Sequence, residues 1–277
     1  MFGRREGERV KDAPIVRHML PFLMPTRTES AVYFEQRLDV TDALAWLKTR
    51  SSGENPPTFY HVFLLALART LALRPQLNRF VVGRRLYQRR KLEISFVVKK
   101  AFNDRATMTA VKVVFDPHDT LESAGARIAA QIGVGRGEAK TATEKEMGIV
   151  TRLPRLILQG SMRLQRVLDY FNLWPAAAIE GDPMYASAFV ANLGSVGLDS
   201  AYHHLFEYGT CPLFVTLGKI EEENRLASDG SVEARKVVSL KYSFDERIAD
   251  GFYCARSLEL IRDFVENPAK LEEAPEL

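Results

Sequence analysis

Alternating apolar and polar positions predict strands near both ends of the chain. Residues 31–40, AVYFEQRLDV, alternate as a strand with one buried face does, and the apolar spacing after them predicts a helix capped by Asp39 or Thr41. Towards the C-terminus, the segments ASAFVANLGSVGL, PLFVTLGKI and KVVSLKYSF predict further strands separated by glycine turns. Apolar residues at helical spacing in GFYCARSLELIRDFVENP then predict a last helix, which Pro268 ends.

The middle of the chain combines one almost wholly apolar segment with alternating ones. TFYHVFLLALARTLALRP is apolar on all sides, which is typical of a helix inside a domain. A hairpin is predicted around Gly83, and two strands follow it. Beyond them we expect a helix capped by Asp119 or Thr120 and a loop at 133–148. Helices interspersed with antiparallel hairpins predict an α/β or α+β sandwich in a single domain.

A basic amphipathic helix is predicted at 152–171. Polar residues fall on one side and apolar residues on the other, namely Arg155, Gln159, Arg163 and Arg166 against Ile157, Leu164, Leu168 and Phe171. Such a pattern suits either a membrane surface or an ordinary helix whose apolar side docks on the domain. We expect docking, because core-like sequence, LWP and AAAI, follows the helix, so a membrane partner is not expected.

Composition and charge narrow the functional classes. The chain has 277 residues, 46% of them hydrophobic, which is enough for a substantial core. Its net charge of +3, from 38 basic and 35 acidic residues, is too small to indicate nucleic acid as a partner. No apolar run approaches the roughly 18 residues of a membrane span. Because the N-terminus is charged throughout, we expect a cytoplasmic protein.

Residue types that bind metals or cofactors form no recognised motif. Cys211 and Cys254 lie far apart without CxxC spacing, as expected in a reducing compartment. The sequence contains no HExxH, Walker or GxGxxG pattern, so zinc, P-loop and dinucleotide chemistry are not expected. Histidines are scattered except for the adjacent His203 and His204.

Four stretches, in order, resemble one enzyme family. They are TESAVYFEQRLDVTDALAWLK, TFYHVFLLALARTLALRPQLNRFVVGRRLY, SAFVANLGSVG and VSLKYSFDERIADGFYCARSLELIRDFVENP. All are similar to the catalytic domain of the dihydrolipoamide acyltransferases of 2-oxoacid dehydrogenase complexes, and to the related chloramphenicol acetyltransferase. Over roughly Ile15 to Pro268, the resemblance implies a chloramphenicol acetyltransferase-like two-layer sandwich with helices flanking a mixed sheet. It also implies a homotrimer with active-site channels between subunits, and coenzyme A or acyl-coenzyme A as a thioester substrate.

The resemblance assigns roles to individual residues. The family pattern Asp-His-Arg-x-x-Asp-Gly matches DERIADG, so Glu246 stands where the catalytic histidine takes a proton from a thiol. Alignment of Asn192 in the Asn-Leu-Gly motif puts Ser187 at the hydroxyl that stabilises an oxyanion, although a small packed residue is an equal alternative. Asp250 is implied to close the strand-to-helix turn and to bind an arginine, for which Arg17 is the candidate.

Replacement of the histidine by Glu246 leaves the chemistry open. Proton transfer from a thiol of pKa about 8.5 to a carboxylate of about 4.3 is uphill by about 5.7 kcal/mol, against about 2.7 kcal/mol for imidazole. Burial would raise the carboxylate's pKa and restore a base. Alternatively, Glu246 pairs with Arg247, Arg17 or a neighbouring subunit, and catalysis is lost. His203 or His204 is a weaker candidate for a substitute base, because paired loop histidines are more often packing features.

Two functions from different classes therefore remain. One is a coenzyme A-dependent acyltransferase, and the other is a non-catalytic trimeric scaffold or acyl-thioester binder. The expected organisation is a flexible arm at 1–14, an acyltransferase-like domain at 15–270 and a tail at 271–277, with a basic helical insertion at about 145–183. We expect a stand-alone trimer, because no lipoyl domain is visible in the sequence.

Overall fold

Strands and helices alternate along the part of the chain that the computed structural model describes, residues 4–50, 56–100, 108–137, 148 and 151–276. The strands are β1 (Gly7–Arg9), β2 (Ala31–Asp39), β3 (Arg79–Val82), β4 (Arg85–Arg89), β5 (Leu92–Lys99), β6 (Met108–Phe115), β7 (Ala188–Asn192), β8 (Leu213–Leu226) and β9 (Val232–Asp245). The helices are α1 (Ile15–Leu23), α2 (Thr41–Lys48), α3 (Phe59–Leu73), α4 (Leu121–Arg136), α5 (Arg155–Tyr170), α6 (Ala176–Gly181) and α7 (Gly251–Glu266).

The main sheet is mixed. Its six strands run in the order β2-β9-β8-β7-β5-β6, and β7 is parallel to both of its neighbours while the other pairs are antiparallel. A smaller antiparallel sheet has the order β1-β4-β3. Helices α3, α4 and α7 pack together over one side of the main sheet. The predicted α/β sandwich with a mixed sheet flanked by helices is confirmed.

Helix α3 is the centre of the hydrophobic core. Every residue from Val62 to Leu71 is buried, which explains why this helix is apolar on all sides. Thr58 caps its first turn and pairs reciprocally with His61, whose Nδ1 accepts a hydrogen bond from the Thr58 N–H. His61 is therefore a helix-capping residue.

Helix α1 was not predicted, and two expectations about other chain segments need correction. The segment 15–25 forms α1 in spite of Pro21 inside it. The loop expected at 133–148 is helical up to Arg136, and residues 138–147 and 149–150 lie outside the described part of the chain. The arm expected at 1–14 is not free where it is described, because β1 pairs with β4 and Arg4 is buried.

Helix α5 docks on the domain through Gln165 and Asp169, which lie between its predicted polar and apolar sides. The Gln165 side-chain amide donates to the Tyr185 hydroxyl at 2.8 Å, and Arg4 Nη1 donates to Asp169 Oδ1 at 2.6 Å. Gln165 and Asp169 are the residues of this helix that are buried, whereas Leu164 and Ile157 are exposed. The expectation that the apolar side would face the domain is wrong, because buried partners for Gln165 and Asp169 turn the side between the predicted polar and apolar sides inwards.

The two cysteines form no disulfide and are both buried. Burial raises the pKa of the Cys211 thiol and of the Cys254 thiol to about 11 each. Among the described residues, no helix has both the length and the apolar character needed to cross a bilayer. The same residues contain no group of three or more His, Cys, Asp or Glu side chains placed to hold a metal ion.

Candidate active site

The corner between β9 and α7 holds the charged residues of the SFDERIADG segment. Strand β9 ends at Asp245, and α7 begins at Gly251. Asp250 is the N-cap of this helix, and its Oδ1 accepts a hydrogen bond from the Tyr253 N–H at 2.8 Å. The Glu246 N–H donates to the Ser30 carbonyl oxygen, so the corner is also tied to the segment before β2.

Arg17 joins helix α1 to this corner. Its Nη1 donates to the main-chain carbonyl oxygen of Glu246 at 2.6 Å, and its Nη2 lies 3.7 Å from Asp250 Oδ2. The guanidinium is largely buried, whereas the Asp250 carboxylate is mostly exposed, so the hydrogen bond is the stronger of the two contacts. Arg17 thus fixes the main chain of Glu246 and leaves its carboxylate available.

The Glu246 carboxylate is half-buried and makes no hydrogen bond or ion pair with the described residues. Arg247, one of its expected partners, is instead bound to Asp245 through Nε–Oδ1 at 2.8 Å and Nη2–Oδ2 at 2.7 Å. The Arg247 guanidinium also binds the end of α1, because its Nη1 donates to the Met24 carbonyl oxygen at 3.0 Å. Glu246 therefore carries a carboxylate that can accept a proton or a hydrogen bond from a ligand.

A cleft of about 410 Å³ opens beside Arg247. Pro21 of α1, Arg27, Glu207 and Asp169 of α5 contribute to its walls. Burial lowers the pKa of Arg27, whose Nη1 donates to the carbonyl oxygens of Phe206 and Glu207. Because α5 forms one wall, this basic helix limits what can enter the cleft.

Ser187 lies at the same end of the main sheet as the corner. Phe189 of β7 pairs with Phe214 of β8, and Phe214 pairs with Ser243 of β9, which places Ser187 level with Asp245 across one intervening strand. Two strand spacings correspond to about 10 Å. Ser187 is fully buried, and its hydroxyl accepts from the Glu93 N–H at 3.0 Å and donates to the Lys91 carbonyl oxygen at 3.4 Å. The hydroxyl is therefore occupied in joining β7 to β5.

The histidine pair belongs to an aromatic stack. The His203 ring lies 3.9 Å from the Phe214 ring and 4.5 Å from the His204 ring, both stacked. His203 Nδ1 is 2.8 Å from the His204 carbonyl oxygen, so this nitrogen carries the proton and donates. Burial lowers the pKa of His203. The Ser243 hydroxyl donates to the main-chain carbonyl oxygen of His203, which fixes the loop against β9.

Asn192 stabilises the turn of the Asn-Leu-Gly motif. Its Oδ1 accepts a hydrogen bond from the Ser195 N–H at 3.1 Å and caps the short 3-10 helix Leu193–Val196. A Cβ on Gly194 would lie 2.4 Å from the Gly218 carbonyl oxygen, so only glycine fits there. This motif is explained by packing.

The comparisons with known proteins agree on one catalytic fold. Residues 182–272 match the family model "2-oxoacid dehydrogenases acyltransferase (catalytic domain)". No curated protein sequence matches the chain. Among solved structures, the probable dihydrolipoamide acetyltransferase of Listeria monocytogenes 4b F2365 has a TM-score of 0.60 at 16% identity, covering 93% of this chain and 95% of that one. The chain has an acyltransferase catalytic-domain fold.

Other solved structures extend the likeness. The Azotobacter vinelandii dihydrolipoamide acetyltransferase, studied for the role of a serine, a histidine and an asparagine in its catalytic mechanism, gives a TM-score of 0.61 at 16% identity, covering 95% of this chain and 94% of that one. A chloramphenicol acetyltransferase gives 0.54 at 11% identity, covering 94% and 99%. The resemblance inferred from the sequence is confirmed.

Within the acyltransferase fold, the candidate residues fall into separate groups. Arg17, Glu246 and Asp250 meet at the β9–α7 corner. Ser187, Asn192 and the histidine pair make their own contacts elsewhere, and none of their side chains hydrogen bonds to Glu246. Sequence reasoning overlooked the Asp245–Arg247 pair, for which the signal was two opposite charges flanking Glu246 directly after an apolar strand.

Proposed function

We propose that the protein binds acyl thioesters of coenzyme A and transfers their acyl group, with Glu246 in place of the usual histidine. The observation that carries this proposal is the Arg17 anchor, which holds the Glu246 main chain while the carboxylate has no partner among the described residues. The match of residues 182–272 to an acyltransferase catalytic domain supports the same reaction class. Because Arg17 binds the main-chain carbonyl oxygen, it leaves the Glu246 carboxylate for a ligand.

The proposed reaction is a thioester exchange. The Glu246 carboxylate accepts the proton of an acceptor thiol, and the resulting thiolate attacks the carbonyl carbon of the acyl thioester. Collapse of the tetrahedral intermediate breaks the original carbon–sulfur bond, and the leaving thiolate recovers the proton from Glu246. For ordinary thiol and carboxylate pKa values this proton transfer is uphill by about 5.7 kcal/mol, and burial of a carboxylate reduces that cost. A neighbouring subunit covering the corner would supply that burial.

We therefore also propose that the protein forms a homotrimer with its active-site channels between subunits. Helix α1, which carries Arg17, supports this part because one of its sides is apolar and exposed at Ile15, Val16, Met19 and Leu23. For Ser187 we propose a structural role, since its hydroxyl already serves two main-chain groups. The oxyanion would then need another donor, for which the described residues of one subunit offer no assigned candidate.

The hydrogen bonds of Ser187 favour a second function. Because the Ser187 hydroxyl is occupied and a carboxylate is ordinarily a weaker base than imidazole, a non-catalytic trimer that only binds acyl thioesters would need no further group. Both functions use the corner, and they differ in whether the thioester bond breaks.

Steady-state acyl transfer from acetyl- and longer-chain acyl-coenzyme A to dihydrolipoamide tests the proposal, with binding measured by calorimetry. We expect Glu246→Gln to lower kcat by roughly 10²–10⁴ while binding remains, and Glu246→His to retain turnover. Asp229→Asn, on the exposed β8–β9 turn, is the matched control and should behave as the unmodified protein. Binding without any turnover would establish the second function. A monomer by light scattering would exclude the channel.

A further inference from the structure

Helix α5 presents an apolar face to solvent on the side opposite its docking contacts. At 3.6 residues per turn, Gln165 and Asp169 lie on one side of the helix. Four apolar residues lie on the other side, and the apolar C-cap residue Phe171 continues them. Their exposed fractions run from 52% to 81%. These residues, which we call the outer face of α5, are Leu156, Ile157, Leu164, Val167 and Phe171. A helix of a folded domain normally turns such a stripe inwards.

Arginines border the outer face. Arg155, Arg163 and Arg166 are all exposed and fall on one flank of the helix. The carboxylate within α5 is Asp169, which is buried and bound to Arg4. The exposed surface of α5 therefore combines apolar side chains with arginines that form no ion pair with the described residues.

A basic groove continues this surface. It has a volume of about 670 Å³ and begins at Tyr170, the last residue of α5. Among the described residues of its walls, the other polar side chains are basic or histidine, namely Arg9, Lys11, His18, Arg84 and Arg85. The groove lies between α1 and the turn of the β3–β4 hairpin, and Arg84 stacks over Phe22 there. A negatively charged surface bound here would contact basic side chains both along α5 and in this groove.

We propose that α5 binds the surface of an anionic lipid bilayer, with its outer face among the acyl chains and its arginines at the headgroups. The combination of an apolar stripe with flanking basic residues matches the polarity profile of the bilayer interface. Charge complementarity selects this occupant over a second copy of the chain, because two such faces would bring arginines to the contact and no exposed carboxylate of α5 to pair with them. This inference goes beyond acyl transfer and does not depend on it.

Co-sedimentation with vesicles tests the proposal on the full chain. We expect binding to phosphatidylcholine vesicles containing phosphatidylglycerol at low salt, weaker binding as salt rises, and little binding to pure phosphatidylcholine. Leu164→Ser with Val167→Ser should reduce the partition coefficient at least tenfold. The triple change of Arg155, Arg163 and Arg166 to Gln should remove the preference for anionic vesicles. These residues are exposed, so the fold should be retained, and circular dichroism checks it.

Matched controls change the same residue types elsewhere. Leu226→Ser with Val232→Ser removes two exposed apolar residues from the β8–β9 hairpin, and the triple change of Lys48, Arg256 and Arg262 to Gln removes three exposed cations. Both controls should bind vesicles as the unmodified protein does. Absence of binding to anionic vesicles at low salt would overturn the proposal. So would an outer-face variant that binds normally, or one whose oligomeric mass changes while vesicle binding is unaffected, since the face would then contact protein.

Discussion

Arg17 Nη1 lies 2.6 Å from the carbonyl oxygen of Glu246, a residue 229 positions later in the chain. This hydrogen bond connects α1 with the β9–α7 corner, and it acts on the main chain of Glu246. The Glu246 carboxylate bonds to no residue in the part of the chain that the structure describes. The position of the candidate base therefore depends on a residue near the other end of the sequence.

Replacing Arg17 by Met should lower the free energy of unfolding by about 1.5–3 kcal/mol, because a charge-assisted hydrogen bond is lost. Urea denaturation measures this change. Arg256→Met is the matched control, since Arg256 forms an exposed ion pair with Glu259, and its cost should stay below about 1 kcal/mol. Equal losses in the two variants would show that the Arg17 contact is no stronger than a surface pair.

The Asp245–Arg247 pair should be the most sensitive feature of the corner. Arg247→Met leaves the buried Asp245 carboxylate without its partner, which should cost about 3–5 kcal/mol. Adding Asp245→Asn to this variant should restore part of the stability, because the uncompensated charge is removed. A double variant as unstable as the sum of the two single ones would contradict this account.

Ser187→Ala should destabilise the fold by about 1–3 kcal/mol, because the Glu93 N–H is left buried without an acceptor. Ser195→Ala, which removes an exposed hydroxyl, should change stability by less than about 0.5 kcal/mol. Thermal unfolding compares the two. If Ser187→Ala were fully stable and yet abolished thioester turnover, the hydroxyl would act as an oxyanion donor.

Much of the fold could be predicted because its periodicity is local. Strand β2 and helix α7 follow directly from residue spacing, and the cap by Asp250 follows from its position before α7. The orientation of α5 could not be predicted in this way. Spacing shows which residues share a face, but the buried partners of Gln165 and Asp169 are Tyr185 and Arg4, which lie on other segments.

Other features that were not predicted from the sequence also have physical causes. Helix α1 was not expected because Pro21 interrupts its pattern, although the carbonyl group that Pro21 leaves unpaired lies near the exposed start of the helix. The Arg17 contact with Glu246 could be expected only from a family resemblance, since no local rule relates residues so far apart.

His203 should make stability depend on pH. Burial lowers its pKa in the folded state below about 6.5, the value for an unfolded chain, so protons bind preferentially to the unfolded state. The contribution of neutral His203 to the free energy of unfolding is thus complete above about pH 6.5, and it is lost as the pH falls through that value. The melting temperature should drop between about pH 7.5 and about pH 5.5. His203→Phe and His203→Gln should both reduce the slope, and an unchanged slope in both would exclude this histidine as its source.

The buried state of Cys211 and Cys254 has a practical consequence. With both thiols protonated near neutral pH, neither should react with a maleimide in the folded protein. A cysteine introduced at Leu164 would then be the site of selective labelling. The emission of a fluorophore attached there would distinguish water, lipid and a neighbouring polypeptide as the surroundings of α5.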